Sequence, residues 1–180
     1  LITEHDPRRA TQPGLHDDIA RFYVENLPEL NGVLLKRRAS KAAGERKGIM
    51  IFGEHPSTSV AENSVNYALD LQLNQDASFY PDTRNLRLWL RQNLSGASVL
   101  NCFAYTGSLG IAALAGGARE VVQTDLNPHF LALAARSQAL NSFTGTMKTR
   151  SQDFYPMIAG FKSQSRLFDA VILDAPLFSQ

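Results

Sequence analysis

Four short strings in the second half of the chain carry side chains suited to holding a polar organic ligand. The first, Asn101-Cys-Phe-Ala-Tyr-Thr-Gly-Ser-Leu-Gly110, joins an apolar run to a helical pattern. Gly107 and Gly110 there permit a tight turn and close approach of backbone to a ligand at a helix N-terminus. The second is Asp125, which closes the apolar run 120–124 and stands 18 positions after Gly107. An acid roughly 20 residues beyond such a turn can accept both hydroxyls of a ribose. Asp125 could instead cap the next helix, but Asn127-Pro128 already offers an N-cap with proline at the first helical position. The third is Asp153-Phe154, where an acid beside an aromatic can bond an adenine amino group and cover its ring, or can be a loop residue and a core phenylalanine. The fourth is Asp174-Ala-Pro-Leu-Phe178. A carboxylate at that edge can orient a nucleobase through its exocyclic amino group while Pro176 stiffens the loop, or can simply end a strand.

What these strings lack narrows the ligand. A dinucleotide pyrophosphate wants G-x-G-x-x-G so that it can lie on bare backbone, but position 105 is Tyr. There is no G-x-x-x-x-G-K-[ST] phosphate loop, nucleophile elbow or zinc helix. The glycines therefore favour a sulfonium cofactor over a nicotinamide one, with no metal expected.

Such residues are useful only if the chain places them at one edge of a sheet. Beyond Gly96, apolar runs at 98–103, 120–124, 147–150 and 169–173 alternate with helical patterns ending at Gly116-Gly117 and near Asn141. That is βαβαβ order, which predicts a parallel sheet with right-handed crossovers, and ligands of such sheets bind beyond the strands' carboxyl ends. Upstream, Ile19, Phe22, Tyr23 and Leu27 predict an amphipathic helix over 15–27. The runs 32–38 and 48–53 predict strands joined by a loop, and alternation over 58–73 with Glu62-Asn63-Ser64 predicts a hairpin. Leu86, Leu90 and Leu94 mark a helix over 82–94 with Asp82 as its N-cap. The expected organisation is a β-rich extension over 1–75 and an α/β ligand-binding domain over 76–180.

Composition fits one ordinary folded domain with an appendage: 180 residues, 44% hydrophobic, net charge +1. No apolar stretch reaches the length of a membrane span, and the first nine residues mix acids and bases, so a cytoplasmic location is expected. Cys102 is the single cysteine, and it reads as a small buried apolar residue rather than a nucleophile. The small net charge means that nucleic-acid contact must be local. The candidates are Lys36, Arg37, Arg38, Lys41, Arg46 and Lys47, and secondly Arg84, Arg87 and Arg91, although charge runs are usually solvated surface.

The strings together resemble the bacterial large-subunit ribosomal RNA methyltransferases that modify guanine at a ring nitrogen or cytosine at carbon five. The likeness covers most of the chain from about Gly32. Val99-Leu-Asn-Cys-Phe-Ala-Tyr-Thr-Gly107 looks like the family's first cofactor motif, Asp125 like its ribose acid, Asp153 like its adenine-side acid, and Asp174-Ala-Pro-Leu-Phe-Ser179 like its Asp-Pro-Pro-x-Phe-Ser motif. Ser78-Phe-Tyr-Pro-Asp-Thr-Arg84 is similar to its Gly-x-Phe-x-Asp-x-Arg stretch.

The resemblance implies a Rossmann-like class I methyltransferase fold and the cofactor S-adenosyl-L-methionine. It implies that Asn101, Phe103, Tyr105, Thr106, Gly107, Asp125, Leu126, Asp153, Phe154, Asp82 and Arg84 bind the cofactor. Asp174, Pro176 and Phe178 would then serve catalysis on an RNA base. Ala175 departs from the family's proline, and the chain ends after the fourth strand where the family has seven, which implies a fragment or a degenerate member; if this length is complete, the open sheet edge predicts a homodimer or poor solubility. A methyltransferase of small molecules or proteins, and a non-catalytic RNA-binding relative, are the alternatives.

Overall fold

The computed structural model describes residues 1–5 and 14–175, so Pro176 and Phe178 of the expected catalytic set lie outside the described residues. The chain forms two units, one of residues 1–58 and 69–78, the other of residues 59–68 and 79–180.

In the first unit, β1 (Ile2–Glu4) pairs parallel with β2 (Val33–Arg37), and β2 pairs antiparallel with β3 (Ile49–Phe52). The stretch between β2 and β3, expected as loop, contains a short helix α2 (Ala43–Lys47) ended by Gly48 at φ 119°. Helix α1 (Leu15–Asn26) forms as expected, yet among its residues only Ala20 is buried. Phe22 and Tyr23 meet edge-to-face and stay exposed.

The basic cluster is the main correction here. Lys36 is fully buried in β2, and its Nζ donates to the carbonyls of Asn74 and Asp76 at 2.7 and 2.6 Å, so it ties a loop rather than a phosphate. Burial pulls its pKa down against the attraction of Asp76 and Asp70. Arg37 pairs with Glu4 and Glu45, Arg38 with Asp76, and Arg46 donates to the carbonyls of Ser40 and Lys41. Glu45 and the Ser40 and Lys41 carbonyls are near neighbours in the sequence, but Glu4, Asn74 and Asp76 come from distant segments, so counting bases along the chain could not reveal them.

The second unit opens with a hairpin, β4 (Ser59–Glu62) and β5 (Val65–Ala68). Its two-residue turn puts Asn63 and Ser64 at φ 51° and 61°, the paired left-handed geometry whose twist suits a two-residue hairpin. The strand alternation stops at Ala68, short of the expected extent. Asp82 sits in a 3-10 turn (Pro81–Thr83) and does not cap helix α3 (Arg84–Asn93), whose N-cap is Thr83 without a side-chain bond. The buried stripe of α3 is Arg87, Leu90 and Leu94, while Leu86 is exposed. An arginine displaces a leucine from the core face because Glu62 waits there to pair with it.

A four-stranded parallel sheet follows, in the order β8 (Thr146–Ser151), β7 (Glu120–Asp125), β6 (Ser98–Cys102), β9 (Ala170–Leu173). Its helices are α4 (Ser108–Ala115), α5 (Pro128–Ala139) and α6 (Phe154–Ser163). The α/β reading with a parallel sheet holds. Central β6 is buried throughout, as strands covered on both faces are, whereas β8 exposes most of its residues and β9 exposes Val171 and Leu173. Val99 and Val121 face a core shared with Tyr67, Leu90, Ile111 and Leu114, while Leu100, Cys102 and Val122 face Met157 and Phe161. Cys102 is buried and its thiol is pushed up by that burial, which suits the apolar reading. No helix among the described residues is long and apolar enough to cross a membrane.

Candidate cofactor site

The loop after β6 is wound tightly. Phe103, Tyr105 and Gly107 have φ of 53°, 51° and 79°, three left-handed residues within five positions. For aromatic residues this conformation is costly and persists only where surroundings over-determine it. Asp125, at the end of the neighbouring β7, supplies one constraint: its Oδ2 accepts the Tyr105 N–H at 2.8 Å, and its Oδ1 accepts the Asn127 N–H at 2.9 Å. The Ala104 N–H adds a bond to the Thr124 carbonyl. Asp125 thus meets the loop as the sequence spacing required, and each of its oxygens retains capacity for a further donor. Capping of α5 falls to Asn127, which accepts from His129.

Under this loop Asn101, an expected site residue, pairs with a buried glutamine, Gln123, that sequence reasoning missed. Asn101 and Gln123 are register partners on β6 and β7, and Asn101 Nδ2 donates to Gln123 Oε1 at 2.8 Å. Gln123 Nε2 donates in turn to the Gly107 carbonyl at 3.0 Å. Asn101 Oδ1 is buried and has no hydrogen-bond partner among the described residues. Both glycines answer to Gln123: a Cβ on Gly107 would lie 2.6 Å from Gln123 Nε2 and 2.5 Å from the Ala134 Cβ, and one on Gly110 would lie 2.7 Å from Gln123 Cδ. The signal in the sequence was a glutamine inside an apolar strand, Val121-Val-Gln-Thr-Asp125, where only a hydrogen-bonded amide is tolerated.

Because Gln123 is fully buried and held at both ends, it cannot yield to an added methyl. Gly110→Ala is expected to lower stability by about 1–3 kcal/mol through overpacking. Gly160→Ala in α6, where the new carbon meets nothing within 4 Å, is expected to stabilise by up to about 1 kcal/mol. Thermal melts of the two variants check the contrast.

The other expected residues are partly assembled. Phe103 stacks on Phe154 with centroids 5.0 Å apart, joining the loops after β6 and β8. Asp153 accepts from the Tyr155 N–H and so caps α6. Leu126 is exposed beside Asp125, and Thr106 is buried within the loop. Asp174 and Ala175 are exposed after β9. Asp82 and Arg84 are also exposed, and the stretch they belong to reaches the loop through Tyr80, whose ring lies 5.4 Å from that of Tyr105. Tyr105 also meets Phe130, at 4.6 Å. Arg87 is removed from the RNA-contact candidates, being buried against Glu62, and Arg91 donates to the Asn63 carbonyl.

Residues 33–180 match the S-adenosylmethionine-dependent methyltransferase family. The chain belongs to it. Among relatives of this chain, ribosomal RNA large subunit methyltransferase I of Aeromonas salmonicida is 35% identical over 147 residues, which is 79% of this chain and 37% of that protein. The protein of the same name from Vibrio parahaemolyticus is 31% identical over 167 residues, 87% of this chain and 41% of that one. The chain thus spans about two fifths of the length of these curated relatives. Among solved structures, a candidate SAM-dependent methyltransferase from Streptococcus mutans superposes with a TM-score of 0.78 at 22% identity, over 92% of this chain and 44% of that one. The tRNA m1G37 methyltransferase of M. jannaschii superposes with a TM-score of 0.66 at 19% identity, over 93% of this chain and 47% of that one. Both show that the fold is the Rossmann-like fold of class I methyltransferases.

Proposed function

We propose that this methyltransferase transfers the methyl group of S-adenosylmethionine to a base of RNA, ribosomal RNA foremost. The observation that carries the reading is the junction of Asp125 with the wound loop 103–107, which leaves carboxylate acceptors beside a glycine turn at the carboxyl edge of a parallel sheet.

The residues present fit the cofactor. Asp125 would take the ribose hydroxyls, with Leu126, Phe103 and Phe154 offering apolar and aromatic surface to the adenine and Asp153 an acceptor for its amino group. The loop backbone from Tyr105 to Gly107 would face the amino-acid portion. Asn101 Oδ1, a buried acceptor without a partner among the described residues, is suited to a donor that arrives with the ligand. Asp82 and Arg84 belong to the proposed set through the Tyr80 link. When bound, the cofactor supplies an activated methyl on a sulfonium. The chain's own work is to position and to stabilise charge, with Asp174, Pro176 and Phe178 orienting the target base. Cys102, buried with its thiol held protonated, is not the nucleophile of this reading.

RNA as substrate is supported by the names of the 31–35% identical relatives. Action in the cytoplasm and a homodimer complete the proposal. Calorimetry with S-adenosylhomocysteine, followed by transfer of labelled methyl to ribosomal RNA, transfer RNA and free nucleosides, tests it. Label on nucleosides and RNA alike would remove RNA as the substrate class, and absence of both binding and transfer would remove the activity. Ala175, where the family carries proline, favours a second reading, a relative that binds RNA without turnover. RNA binding with no transfer, even in Ala175→Pro, would select it.

A further inference from the structure

We propose that the buried Glu62–Arg87 pair is a positioning element for the cofactor loop and acts through Tyr80. The proposal rests on the reading that the 103–107 loop receives S-adenosylmethionine.

Arg87 is 1% exposed, and its donors are divided between two tasks. Nε and Nη2 grip both Glu62 carboxylate oxygens, at 2.8 and 2.6 Å. Nη1 donates to the Tyr80 carbonyl at 2.9 Å and to Thr83 Oγ1 at 2.6 Å. The guanidinium also lies 4.3 Å from the Phe79 ring centre, a cation–π contact. Glu62 is the residue immediately before the two-residue hairpin turn, so its carboxylate is a fixed anchor. The planar fork of arginine transmits that position to the Phe79-Tyr80 backbone, which a lysine could not do with a single point charge.

Tyr80 is thereby set against Tyr105, the aromatic residue held at φ 51° whose N–H is bound by Asp125. Phe130 meets the same ring. A left-handed tyrosine needs such constraints to stay in place before any ligand arrives. Buried ion pairs contribute little net stability compared with apolar packing, and their best-attested use is to fix a register. Here what is fixed is the placement of Tyr80 against Tyr105.

The test pairs affinity with amide exchange. Tyr80→Ala is expected to weaken S-adenosylhomocysteine binding about fivefold, the scale of one aromatic pair, and to speed hydrogen exchange of the Tyr105 amide without ligand, while Tyr80→Phe retains both. Glu62→Gln is expected to weaken binding similarly. The double variant Glu62→Gln/Tyr80→Ala should bind no worse than Tyr80→Ala alone, since the two residues act in series. Additive losses, or unchanged Tyr105 protection in Tyr80→Ala, overturn the proposal. If the unsubstituted chain fails to bind S-adenosylhomocysteine, the cofactor reading falls and with it the affinity arm. Exchange of the Tyr105 amide, measured also in Glu62→Gln and expected to speed up there, still decides whether the pair positions Tyr105.

Discussion

Asp125→Ala is expected to weaken S-adenosylhomocysteine binding by about 100-fold or more. Two hydroxyl donors on one carboxylate are charge-assisted bonds of roughly 1.5–3 kcal/mol each, and about 1.4 kcal/mol is tenfold in affinity. The same substitution leaves the N–H groups of Tyr105 and Asn127 without their acceptor, so the loop proposed to receive the ligand also loses an anchor. Asp125→Asn separates the two effects: its amide oxygen can hold one of those N–H groups, but the charge is gone. Its affinity should fall between the other two. Calorimetry on the three proteins reads the series, and an Asp125→Ala protein that binds as tightly as the parent would sink the ribose assignment.

Arg87→Met is expected to cost about 3 kcal/mol, at the lower end for breaking a buried pair by removing one partner, or roughly 10 °C in melting temperature. The lower end is chosen because the Glu62 side chain keeps 17% exposure and can recruit water. Acid titration adds a signature. The hydrogen bond from Arg87 holds the Glu62 carboxyl below its ordinary 4.5, burial opposing. A carboxyl depressed in the folded state contributes stability that is whole above its unfolded pKa and is lost as pH falls through the folded one. The parent should therefore lose this contribution below about pH 4.5, and Arg87→Met should lack that part of the loss. Glu120, depressed first by Lys148 and also by Arg166, keeps its share in both. Denaturant melts across pH 3–7 measure it, and parallel curves for the two proteins would show that the pair contributes nothing.

Much of the scaffold was legible in the sequence because it rests on local periodicity. The runs that became β6 and β7 have apolar centres, Val99-Leu100 and Val121-Val122, bounded by turn and helix signals, as short parallel strands covered on both faces do. Glu62-Asn63-Ser64 marked a hairpin turn, and Asn127-Pro128 announced a cap and a first helical residue, each through the chemistry of a few neighbours. The spacing of Gly107 and Asp125 was readable for the same reason: a helix of about two turns and a parallel return strand leave little freedom in where the second strand ends.

The tertiary structure decided what long-range pairing imposes. Lys36, Arg37 and Arg38 looked like a phosphate surface until Asn74, Asp76, Glu4 and Glu45 were brought against them. Arg87 looked like one more exposed helix base, and Leu86 like core, until the hairpin delivered Glu62 to that face. Gly107 and Gly110 were read as room for a ligand, but their missing side chains also make room for Gln123 from the next strand. In sum, the sequence by itself determined which segments become strands and helices and which acid ends the second strand, because backbone geometry and solvent partition act over a few residues. Which charges are neutralised, which polar groups are buried and what holds the cofactor loop in its wound shape were decided only by the fold, because those free energies belong to partners tens of residues apart.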